Sequence, residues 1–280
     1  MSRLYDTLRK MEQEKRRPGS PVPHPDQPVE LLNNIVPAPG ETNYGPNANI
    51  KPSKTSRLVA LTDPKSLGAE KFRALAARLE NLREKSELRS LQITSAVVNE
   101  GKSLVAANLA VTFVKHFGYR VLLVEGDLHR PSLTTVLGLA GLEGINQWWH
   151  SRGGDAEIPP YIRKLDDMQL WFLSAGSACD QPSQILQSAR FAEAFVQLVG
   201  GFDWVVVDST PMTPIVDANL WSRLVDGTLL VVREGVAPTK ALRMGVKGLD
   251  NPKWLGIVLN EASEFDRVNY SDQYYGVKKK

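Results

Sequence analysis

The chain has 280 residues, of which 42% are hydrophobic and 23% charged, with a formal net charge of +3. That composition excludes a disordered chain and gives too little positive charge to argue for a nucleic-acid partner. Cys179 is the only cysteine, so no internal disulfide can form, which fits a reducing compartment. No apolar run approaches the ~18 residues needed to cross a bilayer. The charges at the N-terminus are followed by no apolar stretch, unlike a secretory leader. The expectation is a cytoplasmic protein.

In chain order, residues 1–17 read as a short amphipathic helix. Ser2 is its N-cap, Leu4, Leu8 and Met11 share one face beside Tyr5, and Arg9, Lys10, Lys15, Arg16 and Arg17 gather toward its C-terminal half. This is either a helix that docks on a protein partner or one that packs on its own domain. Attachment to a membrane surface is disfavoured, because so few apolar side chains bury little area. Residues 18–55 are rich in Pro, Asn and Gly and read as a disordered linker. Residues 56–262 alternate short apolar runs with longer helical stretches. The runs are residues 89–95, 121–124, 204–207, 229–232 and 255–259. The helical stretches lie near 67–86, 103–117, 187–199 and 238–249. The runs are apolar without alternation, as strands covered on both faces are. The fold class expected is therefore α/β, a doubly wound and mostly parallel sheet. Residues 263–280 turn polar and form a tail.

Ala96 to Ser103 reads AVVNEGKS, which fits [GA]-x-x-x-x-G-K-[ST] between a strand and a helix, the context a phosphate-binding loop needs. Backbone N–H groups around Gly101 would form an anion nest at a helix N-terminus. Asn99, Glu100, Gly101, Lys102, Ser103 and Leu104 would then surround the phosphates of ATP. Lys102 would reach the β- and γ-phosphates, and the Ser103 hydroxyl would be a ligand to Mg2+. Glu125 and Asp127 follow a buried strand at the carboxyl edge, where α/β sheets bind ligands. A third strand, WVVVDSTP, ends in Asp208 and positions the metal. Three carboxylates at the ends of two runs beside one phosphate loop point to a single phosphate–magnesium site. Lys102, Glu125, Asp127 and Asp208 are its candidate catalytic residues, and Ser103, Asp127 and Asp208 its candidate metal ligands.

At these residues the chain resembles the bacterial tyrosine kinases of capsular and exopolysaccharide systems, P-loop proteins related to the Min and Par partition ATPases. The resemblance covers about residues 60–262. The family motif D-x-D-x-R-x-P is matched by Glu125, Asp127 and Pro131, with Glu125 in place of the first Asp and His129 in place of the Arg. Segments GSACDQPSQILQSARF, LVDGTLLVVR and GIVLN are also similar, and by resemblance Arg233 and Asn260 lie near the adenine. The partition ATPases carry an extra lysine five residues before the loop lysine; here that position is Val97, which disfavours that branch. The family's tyrosine cluster would correspond to Tyr270, Tyr274 and Tyr275 as phosphoacceptors. Its ring-forming helix motif E-x-x-R-x-x-R is matched at Glu70 and Arg73, but Ala76 stands where the second Arg belongs. Only weak self-association is expected. The resemblance implies an ATP-dependent tyrosine autokinase acting in exopolysaccharide or capsule export. It also implies a separate membrane chain-length regulator as activator, through which the chain is peripheral to the inner membrane. The alternative is a regulatory ATPase switch of the same system, without tyrosine kinase activity.

Overall fold

The computed structural model describes residues 44–53, 56–151, 157–213, 216–249 and 253–262. The expected N-terminal helix, most of the expected linker and the tyrosine tail lie outside them.

The chain opens with β1 (Gly45–Ala48), a short α1 (Val59–Thr62) and α2 (Leu67–Arg83), then β2 (Ser90–Ser95), α3 (Lys102–Phe117) and β3 (Val121–Glu125). Two one-to-two-turn helices follow, α4 (Leu133–Val136) and α5 (Ile145–His150), and then β4 (Ile162–Leu165) and β5 (Leu170–Leu173). The rest is α6 (Pro182–Gln187), α7 (Ala189–Gly201), β6 (Trp204–Asp208), α8 (Asp217–Leu224), β7 (Gly227–Arg233), α9 (Thr239–Gly248) and β8 (Trp254–Asn260). The strands form one eight-stranded sheet in the order β1-β4-β5-β3-β6-β2-β7-β8. Every pairing is parallel except β4 with β5. The expected doubly wound, mostly parallel sheet is present.

The central strands β2, β3 and β6 are buried at every residue. This is why their runs show no period-two alternation: helices cover both faces. One face packs Leu91, Ile93 and Val206 against α2 and α3, where the Trp204 and Phe113 rings stack at 4.6 Å. The other packs Val124, Val205 and Val207 against α5, α6, α7 and α8, with Trp221 in edge contact with Phe191. Helix α3 lies between sheet, α1, α2 and α4, so its apolar residues occur all round rather than on one stripe. Its buried Asn108 is satisfied by bonds from the Ala60 amide and to the Arg57 and Leu104 carbonyls.

Two expectations change. The linker assigned to 18–55 gives up residues 44–53 to the domain. Gly45–Ala48 is an edge strand on β4, the Ile50 amide donates to Asp166 Oδ1 at 3.0 Å, and Lys51 to the Leu137 carbonyl at 3.0 Å. The sequence GPNA has little strand propensity, so the pairing comes from β4 and from Tyr44 packing on Trp171 and Phe202. The second change concerns Ala76. It is fully buried, on the face of α2 turned toward the core, whereas Glu70 and Arg73 pair with each other along the exposed side. An arginine at 76 could not reach a neighbouring subunit. We expect Ala76→Arg to destabilise the fold by about 3–5 kcal/mol, the effect of an uncompensated buried charge, and not to promote assembly. Urea unfolding together with sedimentation velocity checks both halves.

Candidate active site

The parallel register brings three strand ends to one edge. Ile93 of β2 and Glu125 of β3 both pair with Asp208 of β6, which lies between them. Beyond β2 the chain turns through residues 96–101 into α3. Asn99 and Gly101 take left-handed φ values of 66° and 89°, the alternation that points successive N–H groups inward as an anion nest. Gly101 is required twice over, because a Cβ there would also lie 2.2 Å from Asn260 Nδ2.

Lys102 opens α3 and is nearly buried. Its Nζ donates to Asp127 Oδ2 at 3.0 Å, stands 3.6 Å from Asp208 Oδ1 and 3.4 Å from Ser103 Oγ. Burial opposes its charge, but the Asp208 and Asp127 carboxylates outweigh burial and raise its pKa above the ordinary lysine value. Asp208 is completely buried, and neither of its carboxylate oxygens accepts a hydrogen bond. Burial pushes its pKa up to about 6, with Lys102 and the Ser103 hydroxyl opposing and Asp127 and Glu125 adding to the rise. Asp127 accepts the Arg130 amide on Oδ1 while Oδ2 meets Lys102.

Gly126 joins the two carboxylates of β3's end. Its amide donates to the Asp208 carbonyl at 2.8 Å and its carbonyl accepts from Trp221 Nε1 at 3.0 Å. A Cβ there would fall 2.7 Å from Val207 Cγ1, so only glycine lets β6 approach this closely.

Glu125 was expected among the catalytic residues; here its carboxylate is engaged by four donors. Oε1 accepts the Thr134 amide at 2.9 Å. Oε2 accepts the Thr134 hydroxyl at 2.7 Å, the Ser174 hydroxyl at 3.1 Å and the Ala175 amide at 3.1 Å. Four donors fill the roughly four acceptor positions of a carboxylate. Glu125 therefore ties the start of α4 and the exit of β5 to β3. Glu100 was expected, with the rest of the loop, around the phosphates; its buried side chain braces the loop. Oε2 accepts the Val97 amide at 2.8 Å and Oε1 the Arg233 amide at 3.1 Å. Arg233 and Asn260, expected near the adenine, also reach the loop. Asn260 Nδ2 donates to the Glu100 carbonyl at 2.8 Å, and Arg233 Nη1 approaches the Asn99 carbonyl at 3.5 Å. Glu261 forms ion pairs with both Arg233 and Arg57. His129, standing where the family motif has Arg, sits 3.2 Å from Asp217 Oδ2. Burial raises the pKa of Asp217, with His129 opposing and Asp127 reinforcing.

Sequence reasoning missed Ser132, whose Oγ lies 2.7 Å from Ser103 Oγ, and the Thr134–Ser174 pair around Glu125. Nothing in their local pattern marks them; they are brought in by short α4 and by β5. Leu104 is half-buried in the first turn of α3, where its carbonyl accepts Asn108 Nδ2 at 2.9 Å.

No family model matches the chain. It is 30% identical over 229 residues to the putative tyrosine-protein kinase CapB of Staphylococcus aureus, covering 81% of this chain and 98% of CapB. The chain belongs to the bacterial tyrosine-kinase family. It is also 34% identical over 224 residues to the succinoglycan biosynthesis transport protein ExoP of Rhizobium meliloti, covering 78% of this chain and 28% of ExoP. Among solved structures it is similar to the chimerical protein CapA2B2, with TM-score 0.66, 26% identity, and coverage of 84% of this chain and 98% of that one. Membership in a kinase family implies nucleotide binding.

The residues present fit ATP and Mg2+. The donor set is a hydroxyl and carboxylate oxygens, as a hard cation prefers, and the two unbonded buried oxygens of Asp208 lack the partners that buried acceptors otherwise find. Among the described residues no three His, Cys, Asp or Glu side chains are grouped to hold a metal alone.

We expect Glu100→Gln to lower fold stability by about 1–3 kcal/mol and to weaken nucleotide affinity about tenfold as the loop loses a brace. An amide can accept from only one of the Val97 and Arg233 amides, and leaving the other buried and unpaired costs about 1–3 kcal/mol. Titration with a fluorescent nucleotide beside thermal melting separates the two effects. A second expectation follows from Asp208. A carboxyl whose folded pKa is raised stabilises the fold fully below its unfolded pKa, and that contribution is lost as pH rises through about 6. In chelator-containing buffer the wild type should lose about 2–3 kcal/mol between pH 4 and pH 7 at this group, and Asp208→Asn should flatten that slope. Urea unfolding at half-unit pH steps checks it.

Proposed function

We propose that this chain transfers the γ-phosphoryl group of ATP to tyrosine hydroxyls, with Tyr270, Tyr274 and Tyr275 of a second copy as acceptors. The observation that carries the reading is the Lys102 ammonium held 3.0 Å from Asp127 at the mouth of the phosphate loop, beside the unbonded carboxylate of Asp208. Mg2+, when bound, supplies further positive charge at the phosphates; Ser103, Asp208 and Asp127 would hold it. Lys102 neutralises charge that develops on the transferred group. Asp127 takes the phenolic proton as the new O–P bond forms and the bond to the ADP oxygen breaks. Glu125 acts by position, fixing α4 and the β5 exit, and Glu100, Arg233 and Asn260 act by holding the loop in shape.

The reading places the chain in exopolysaccharide or capsule export, activated by a separate membrane-embedded chain-length regulator. What supports this is the likeness to ExoP, a transport protein of succinoglycan biosynthesis, of which this chain spans 28%. No helix among the described residues is long and apolar enough to cross a membrane. Attachment to the cytoplasmic face would therefore rely on that partner. A second reading, a nucleotide-cycling switch without tyrosine transfer, is favoured by the saturation of Glu125, which leaves one carboxylate fewer for proton transfer.

Mixing decides between the two. A Lys102→Met chain serves as acceptor and a chain lacking residues 263–280 as donor, with ATP and Mg2+. The expected outcome is phosphotyrosine on the acceptor tail, read by mass spectrometry, and none when the donor also carries Lys102→Met. ATP turnover by the donor with no phosphotyrosine on the acceptor, the chain-length regulator being present, leaves the switch.

A further inference from the structure

Ser132 is the N-cap residue of α4, with φ −134° and ψ −19°. Serine is favoured at such a position because its hydroxyl accepts the amide of the second or third helical residue. Here the side chain makes no capping bond. The second helical residue is Thr134, and its amide donates to Glu125 Oε1 at 2.9 Å. Glu125 thus does the capping, and the Ser132 hydroxyl is left for other use. It lies 2.7 Å from Ser103 Oγ, the ordinary length of a bond between hydroxyls, and has no other hydrogen-bond partner among the described residues. Its place is fixed from both sides. Upstream, Asp127 Oδ1 accepts the Arg130 amide at 3.0 Å; downstream, Glu125 Oε2 accepts the Thr134 hydroxyl at 2.7 Å.

The chemistry of the neighbours sets the direction of the Ser103–Ser132 bond. A hydroxyl has one proton and two lone pairs. Lys102 Nζ, which can only donate, stands 3.4 Å from Ser103 Oγ and faces one lone pair. If Ser132 donated as well, both lone pairs of Ser103 would be engaged and none would be open to a cation. If Ser103 donates to Ser132, one stays open. The Ser103 hydroxyl also lies beside the Asp208 carboxylate, but neither Asp208 oxygen accepts a hydrogen bond. A proton directed at Ser132 therefore leaves the Asp208 oxygens and a Ser103 lone pair available together, an all-oxygen set that suits a hard cation. Outer partners of this kind orient a metal ligand and tune how well it binds.

We propose that Ser132 is a positioning residue of the cation site: its hydroxyl accepts the proton of Ser103 and so turns a Ser103 lone pair toward bound Mg2+. This role rests on the reading of Ser103 as a metal ligand, and adds to that site a residue from outside the phosphate loop. It also links Glu125 to the site without contact, because the Thr134 amide held by Glu125 is one that Ser132 would otherwise cap.

The test uses the full chain and a fluorescent ADP analogue, titrated in chelator and across a series of Mg2+ concentrations. The quantity read is the Mg2+ concentration at half of the tightening, each chain referred to its own affinity in chelator. A general loss of nucleotide binding does not move it. Ser132→Ala should raise this midpoint about tenfold, as loss of a ligand's outer partner does. Ser132→Thr keeps the acceptor oxygen and should stay within about twofold of the wild type. Ser103→Ala should raise the midpoint at least as much as Ser132→Ala, and the double variant no further than Ser103→Ala alone, because Ser132 acts only through Ser103. Thermal melting in chelator shows that each variant is folded. An unmoved midpoint in Ser132→Ala, with Ser103→Ala displaced, overturns the role of Ser132 and leaves Ser103 as a ligand. No displacement in either overturns the ligand reading and the role of Ser132 with it. Equal displacement in Ser132→Ala and Ser132→Thr assigns the effect to packing and overturns the role as well. So does a double variant displaced beyond Ser103→Ala, which would show Ser132 acting on the cation by itself.

Discussion

The Lys102 ammonium lies between two carboxylates in a nearly dry pocket, and much of the surrounding structure follows from that. An isolated buried ammonium is unfavourable by far more than any single packing contact supplies. It is tolerated because Asp127 and Asp208 arrive from two neighbouring strands. Those strands in turn must be in register, with Glu125 opposite Asp208, and must approach closely enough that residue 126 has no side chain. The paired charges keep the lysine protonated. The imbalance among the acids leaves Asp208 poorly satisfied, a condition relieved by a positive ligand with open coordination positions.

The parts of this site that were legible in the sequence are those encoded contiguously. The loop from Ala96 to Ser103 declares itself because backbone conformation, lysine and hydroxyl are all specified within eight residues. Asp208 and Asp127 were legible because an apolar strand ending in a carboxylate is a local pattern. What escaped was long-range. Glu125 reads as a reacting acid until Thr134, Ser174 and Ala175 are brought around it by α4 and β5, and those two elements are too short for periodicity to find. Glu100 sits inside the motif, yet its partner is the Arg233 amide, 133 positions away. Ala76 occupies the position of the motif's second Arg by spacing alone; the phase of α2 against the core decides its orientation.

The same distinction explains the fold. The central strands were legible because burial on both faces forces continuous apolar runs. The outer strands β1, β4 and β5 were not. Two of them pair at the sheet's periphery, where Gly, Asn, Arg and Lys are admissible, and β5 has only four residues. The expected linker therefore ended too late, since GPNA becomes a strand only because β4 offers it an edge.

The two carboxylates of the E-x-D pair illustrate how one methylene redistributes roles. A glutamate reaches about 1.5 Å further than an aspartate. In this chain that reach is used sideways, into four donors belonging to α4 and the β5 exit, rather than toward Lys102. The consequence is a division of labour: the anion that organises the pocket is separate from the anion that faces the lysine. Asp127 is the carboxylate in direct contact with Lys102, two residues beyond Glu125 and freed from scaffolding by it. Replacement of the first acid by the longer one then gives this position four donors to hold. The carboxylate is fully buried, and its hydrogen bonds hold the start of α4 and the exit of β5 to β3.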